Sequence, residues 1–122
     1  MSNLQAYDEE QARARLGGAL SCWTVEQGHL RRRYVTSGWR ASMLLANGIA
    51  HLAELAWHHP DLHIAWGSVT VDLSTHEADA ITDRDFELAA MIERQVTWRP
   101  DSGGALDGTP RDGQWRLLAG DD

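Results

Sequence analysis

His58 and His59 stand side by side, directly before Pro60, at the point where a long amphipathic pattern stops. Proline disfavours the helical conformation in the residue before it, so the pattern predicts His58 in the last helical turn and His59 just outside it, in extended backbone. The two rings then point in different directions. An imidazole exchanges its proton near neutral pH, and the negative end of a helix favours the charged form, so the pair suits the holding and handing over of protons. A second reading adds His76 to the pair as a zinc site, three imidazoles leaving one position open for water. Adjacent histidines rarely aim at one ion.

The elements that must position these rings follow from period and punctuation. From Trp39 the positions Met43, Ala46, Ala50, Ala53 and Trp57 recur at spacings of three and four, and Leu45, Ile49, Leu52 and Ala56 widen the stripe. This predicts a helix from about Trp39 to His58. Before it, Asp8-Glu9-Glu10-Gln11 reads as a capped helix start closed by Gly17-Gly18. A strand from Leu20 to Val25, a turn at Gln27-Gly28 and a strand from Leu30 to Val35 make a first hairpin. The run Arg31-Arg32-Arg33 is expected on that strand's edge or solvent face.

A second hairpin pairs His63–Trp66 with Val69, Val71 and Leu73, which alternate with Thr70 and Asp72, across a turn at Gly67-Ser68. Thr82 then caps a last helix with Asp85 at its third position, and Phe86, Leu88, Ala89, Ile92 and Val96 form the inner face. The order helix, hairpin, helix, hairpin, helix implies an α+β fold, a four-stranded antiparallel sheet with helices on one face. Residues 1–97 make that domain. Residues 98–122 shift to glycine, proline and aspartate and read as a tail, with Trp115, Leu117 and Leu118 placed either to dock back or to stay free.

Composition narrows the partners. The chain has 122 residues, 11 Lys+Arg against 18 Asp+Glu, and a net charge of −7. That balance repels phosphate backbones and anionic lipid, so neither nucleic acid nor membrane is an expected partner. The single cysteine, Cys22, cannot form an internal disulfide, and the expected compartment is the cytoplasm. Apolar residues on two edges of the central helix leave surface for another subunit, so a homodimer or homotetramer is expected.

Several stretches together resemble the pterin-4a-carbinolamine dehydratases. They are Trp23, Ala53-Glu54 followed by His58-His59-Pro60-Asp61, Trp66-Gly67, Leu73-Ser74-Thr75-His76-Glu77, and Thr82-Asp83-Arg84-Asp85 followed by Leu88-Ala89. The resemblance spans roughly residues 8 to 97, without a gap from Trp39 onward. It implies a small-molecule substrate, a 4a-hydroxytetrahydropterin, converted to quinonoid dihydropterin and water in the recycling of tetrahydrobiopterin. Such a step needs an acid and a base beside a flat heterocycle and no metal, nucleotide or flavin cofactor.

By the same resemblance His58, His59 and His76 are the catalytic histidines, with His59 in the principal proton-transfer role, His58 assisting as acid and His76 closing the site. Glu54, Pro60, Thr75, Arg84 and Asp85 are the implied substrate-binding residues. Glu54 stands at i, i+4 from His58 and so shares a helix face with it. Asp85 has a second reading as the acid of a helix start. Thr75 is expected to orient His76 or line the pocket. His29, His51 and His63 match no motif. Three places depart from the family pattern: Thr36-Ser37-Gly38-Trp39 stands where a Phe-x-x-Phe type pattern with an aspartate is common, Trp57 replaces a polar residue common before the histidine pair, and Ala80 replaces a glycine. Related folds also include proteins that have lost the dehydratase and act as binding or assembly scaffolds, which is the alternative function.

Overall fold

The computed structural model describes residues 4–120. Its main sheet is built from two hairpins. The first joins β2 (Thr24–Glu26) to β3 (His29–Val35), and the second joins β4 (Asp61–Ala65) to β5 (Ser68–Leu73). All pairings are antiparallel and the spatial order is β2-β3-β5-β4. The first turn needs left-handed backbone at both of its residues, and Gln27 and Gly28 supply it at φ 50° and 82°. A second, two-stranded sheet pairs β1 (Ala6–Tyr7) with β6 (Ile81–Thr82). This small sheet was not expected, because two residues are too short to carry a period.

Three helices complete the fold: α1 (Glu9–Arg15), α2 (Trp39–Ala56) and α3 (Asp83–Thr97). The core lies between the sheet and α2 and α3. Val69, Val71 and Leu73 are fully buried as the alternation predicts, and Leu30 and Tyr34 join them from β3. Phe86, Leu88, Ala89, Ile92 and Val96 form the buried side of α3, and both capped helix starts, at Asp8 and Thr82, are present. The fold is therefore the α+β arrangement expected, with helices on one face.

Three local features differ from expectation. The segment expected as strand from Leu20 begins as a 3₁₀ turn, Gly18–Leu20, and the backbone N–H of Trp23 donates to the Leu20 carbonyl, so the strand starts only at Thr24. The buried face of α2 is Ser42, Leu45, Ala46, Ile49 and Ala53, whereas Trp39, Ala50 and Trp57 face outward. The helix is rotated because Ser42, a polar residue the apolar stripe passes over, is anchored by hydrogen bonds to Thr36 (2.7 Å) and the Trp66 carbonyl (3.1 Å).

The arginine run is not on an edge, since β3 lies between β2 and β5. Arg31 grips its cross-strand neighbour Asp72 at 2.6 and 3.2 Å. Arg32 faces the helices and holds Glu93 of α3 at 3.0 Å. The same Glu93 carboxylate accepts the indole N–H of Trp23 (2.8 Å) and the hydroxyl of Tyr34 (2.9 Å), so one buried acid ties α3 to the first hairpin. Burial pushes the Glu93 carboxyl up, but the hydrogen bonds from Arg32, Trp23 and Tyr34 outweigh it and leave it below its ordinary value.

Finally, the end of the tail is docked. Leu118 is buried and bridges to Thr36, while Ser37 donates its N–H to the Leu117 carbonyl and Ala119 donates its own to Val35. Arg40 lies over the Trp115 ring, 5.1 Å from its centroid. Residues 1–3 and 121–122 of the two expected spans lie outside the described residues.

Candidate functional site

The end of α2 sets the geometry. Its last helical residue is Ala56, and Trp57 turns left-handed at φ 49°, ψ 45°. Such a turn costs a residue with a Cβ roughly 1 kcal/mol relative to glycine. It closes the helix with two backbone bonds, Trp57 N–H to the Glu54 carbonyl (3.3 Å) and His58 N–H to the Ala53 carbonyl (3.1 Å). His58 therefore lies outside the helix, not in its last turn. The expected sharing of a helix face with Glu54 no longer applies: Glu54 meets His59, and His58 finds another carboxylate.

Each histidine of the pair has its own acid. His59 Nε2 donates to Glu54 at 2.6 Å, an exposed contact at the cleft's rim. His58 Nε2 donates to Oδ1 of Asp85, also at 2.6 Å, and here the carboxylate is fully buried. With Nε2 carrying the proton in both rings, Nδ1 is left to act as the acceptor of the neutral imidazole.

Asp85 has both of the functions its position allows. Its Oδ2 accepts the Thr82 backbone N–H (2.9 Å), completing the cap of α3, and the Thr75 hydroxyl (2.8 Å). The Thr82 hydroxyl donates in turn to Thr75 (2.7 Å), and none of these three side chains touches solvent. Thr75 thus neither orients His76 nor lines the cleft. It holds Asp85, and Asp85 holds His58. A satisfied network of this kind is rigid, because every alternative leaves a buried polar group unpaired.

His58, His59, Pro60, His76 and Arg84 open on one cleft of about 570 Å³, together with Trp57, Asp61 and Glu77. His76 reaches it from a 3₁₀ turn, His76–Ala78, that follows β5. Arg84, at the start of α3, pairs with Glu77 at 3.2 Å. An apolar groove between α2 and α3, about 380 Å³ and lined by Leu52, Leu55, Leu88 and Met91, adjoins the cleft through His58 and Arg84. Sequence reasoning passed over Asp61 and Glu77 as lining residues, and noted Trp57 only as a departure before the histidine pair. Among the described residues no group of three or more His, Cys, Asp or Glu side chains is placed to hold a metal ion, so the zinc reading finds no ligand set.

Residues 5–95 match the family model described as pterin 4 alpha carbinolamine dehydratase. The chain belongs to that family. It is 39% identical over 88 residues to an Aquifex aeolicus protein provisionally named pterin-4-alpha-carbinolamine dehydratase, covering 72% of this chain and 88% of that one. A similarly named protein of Rickettsia bellii is 46% identical over 72 residues, 58% of this chain and 64% of the relative.

Two solved structures share the dehydratase-family fold. A transcriptional coactivator/pterin dehydratase from Brucella melitensis superposes with a TM-score of 0.62 at 22% identity, over 72% of this chain and 95% of its own. A pterin dehydratase-like protein identified as a RuBisCO assembly factor in the alpha-carboxysome gives 0.52 at 14% identity, over 63% and 89%. At these identities the likeness is one of fold. No helix among the described residues is long and apolar enough to cross a membrane.

Proposed function

We propose that this chain dehydrates a 4a-hydroxytetrahydropterin to the quinonoid dihydropterin, with His58, His59 and His76 as its acid–base residues. The observation that carries the reading is the pair of adjacent imidazoles, each hydrogen-bonded to its own carboxylate and both opening on one cleft. In the reaction the C4a–O bond breaks, the departing hydroxyl takes up a proton and leaves as water, and N5 gives up its proton as the C4a–N5 double bond forms. The step therefore needs one group to accept a proton and another to deliver one, on one substrate.

His59, outside the helix and steadied by Glu54, accepts the N5 proton through Nδ1. His58, fixed from behind by Asp85, delivers a proton to the hydroxyl, and the buried carboxylate offsets the charge the ring carries when it holds both protons. His76 and Arg84 close the opposite wall, and Pro60 bounds the site beside His59. Residues 1–97 form the catalytic unit, and the docked tail is an addition to it.

Self-association is part of the same reading. Leu44, Leu55 and Met91 expose apolar surface along α2 and α3, beside grooves that Leu52 and Leu88 deepen. A homodimer or homotetramer would cover them. The experiment that tests the function is the dehydration of enzymatically generated 4a-hydroxytetrahydropterin, followed by the absorbance of the quinonoid product. Acceleration over the rate in buffer supports the proposal, and a rate equal to that in buffer refutes it.

A further inference from the structure

Three observations meet at Trp57. The residue closes α2 in the left-handed region, at φ 49°, where a side chain is strained and glycine is the usual occupant. Its indole is 76% exposed, so it contributes little to the core. And it lines the cleft beside His58, His59 and His76, meeting the His59 ring edge-on with centroids 5.0 Å apart and planes at 83°. Strain of this kind persists where the site makes use of it. A large flat apolar ring, held open to water at the mouth of a polar cleft, is a surface for another flat ring.

We infer that Trp57 is a substrate-binding platform: its indole face stacks on a bicyclic heterocycle and presents that ring's edge to His59. The inference rests on the proposed reaction for the identity of the heterocycle, a reduced pterin. The edge-on contact gives the stack a consequence for chemistry. A ring parallel to the indole lies nearly perpendicular to the imidazole, and perpendicular planes share a line. Along that line an in-plane N–H of the heterocycle can meet the in-plane lone pair of His59. Trp57 thus selects a bicyclic ring with a flat conjugated face over a small substrate, and sets its orientation.

The test uses Trp57→Gly and Trp57→Phe in the full chain. Glycine suits the left-handed backbone, so Trp57→Gly removes the ring without unfolding the protein and melts at or above the wild-type temperature. Equilibrium dialysis with 7,8-dihydrobiopterin, a stable reduced pterin, should show binding by Trp57→Gly weakened roughly 5- to 100-fold, the range for loss of one aromatic stack, with Trp57→Phe recovering most of it. The KM for dehydration should rise by a similar factor.

Binding by Trp57→Gly within twofold of wild type overturns the inference. So does unchanged binding with a changed mass in light scattering, which would assign the ring to a contact between copies. A wild-type protein that binds dihydrobiopterin through Trp57 and does not dehydrate the carbinolamine removes the proposed reaction and leaves the platform standing. A wild-type protein that dehydrates its substrate, with Trp57→Gly equal to it, removes the platform alone. Absence of any pterin binding removes both.

Discussion

Asp85→Asn is the substitution that separates the two functions of the buried carboxylate. Asparagine keeps the shape of the side chain but has one oxygen where Asp85 has two. The Thr82 N–H and the Thr75 hydroxyl both arrive at Oδ2, at 2.9 and 2.8 Å, so the amide oxygen stays with them and the NH₂ turns toward His58. A donor then faces Nε2 at the position where a carboxylate oxygen accepts at 2.6 Å. The ring must answer by moving its proton to Nδ1. The doubly protonated ring that delivers the proton is then disfavoured, because its Nε2–H would face another donor with no carboxylate to offset the charge.

Charge-assisted hydrogen bonds are worth about 1.5–3 kcal/mol each. Losing one lowers the melting temperature by roughly 6–12 °C in a domain of this size, which leaves a protein of ordinary stability folded. Activity suffers more, because a histidine kept from its doubly protonated form has no proton to deliver without leaving an imidazolate, and so loses most of its contribution to acid–base catalysis, on the order of 10²–10⁴-fold. The assay is steady-state dehydration beside a thermal melt, and kcat should fall with KM little changed. His58→Ala and the double variant should be no slower than Asp85→Asn by more than a few-fold, since residues acting as one unit are not additive. A folded Asp85→Asn protein with kcat within twofold of wild type would refute the link from cap to catalysis.

Glu93→Ala should cost roughly 3 kcal/mol, seen as a loss of urea stability with pterin binding unchanged, because it strands Arg32, the Trp23 indole and the Tyr34 hydroxyl together. The Glu93 carboxyl is held below the ordinary glutamate value of 4.5, so its contribution is complete above that value and is lost as pH falls through the lowered one. The urea midpoint of wild type should therefore drop more steeply on acidification than that of Glu93→Gln; parallel curves would contradict the assignment. Light scattering should return two or four times the chain mass, reduced by Leu55→Glu, and a monomer mass over a wide concentration range would remove the proposed self-association.

How much of this was legible in the sequence follows the range of the interaction concerned. The start of α3 was readable because Thr82 and Asp85 cap it locally, and its inner face because Phe86 through Val96 keep one period. The strands around Val69, Val71 and Leu73 announced themselves by alternation. The end of α2 did not, because nothing in an indole signals left-handed backbone; Pro60 marked the stop, but two residues late. That slip moved His58 off the helix and away from Glu54, which reaches His59 instead, and the partner of His58 lies 27 residues away. Arg32 was read as solvent-facing because a cation usually is, and its acid is 61 positions further on. The three histidines singled out in the sequence come together on one cleft, while their hydrogen-bond partners required the fold.

The most direct test of the central claim compares initial rates of quinonoid dihydropterin formation for wild type, His59→Ala and His76→Ala under identical conditions. The proposed division of labour predicts that wild type accelerates the dehydration. His59→Ala should lose most of that acceleration, on the order of 10²–10⁴-fold, and His76→Ala should lose less. Unimpaired kcat in a folded His59→Ala protein would show the base to be misassigned, and unimpaired rates in His58→Ala, His59→Ala and His76→Ala alike would contradict the dehydratase mechanism itself.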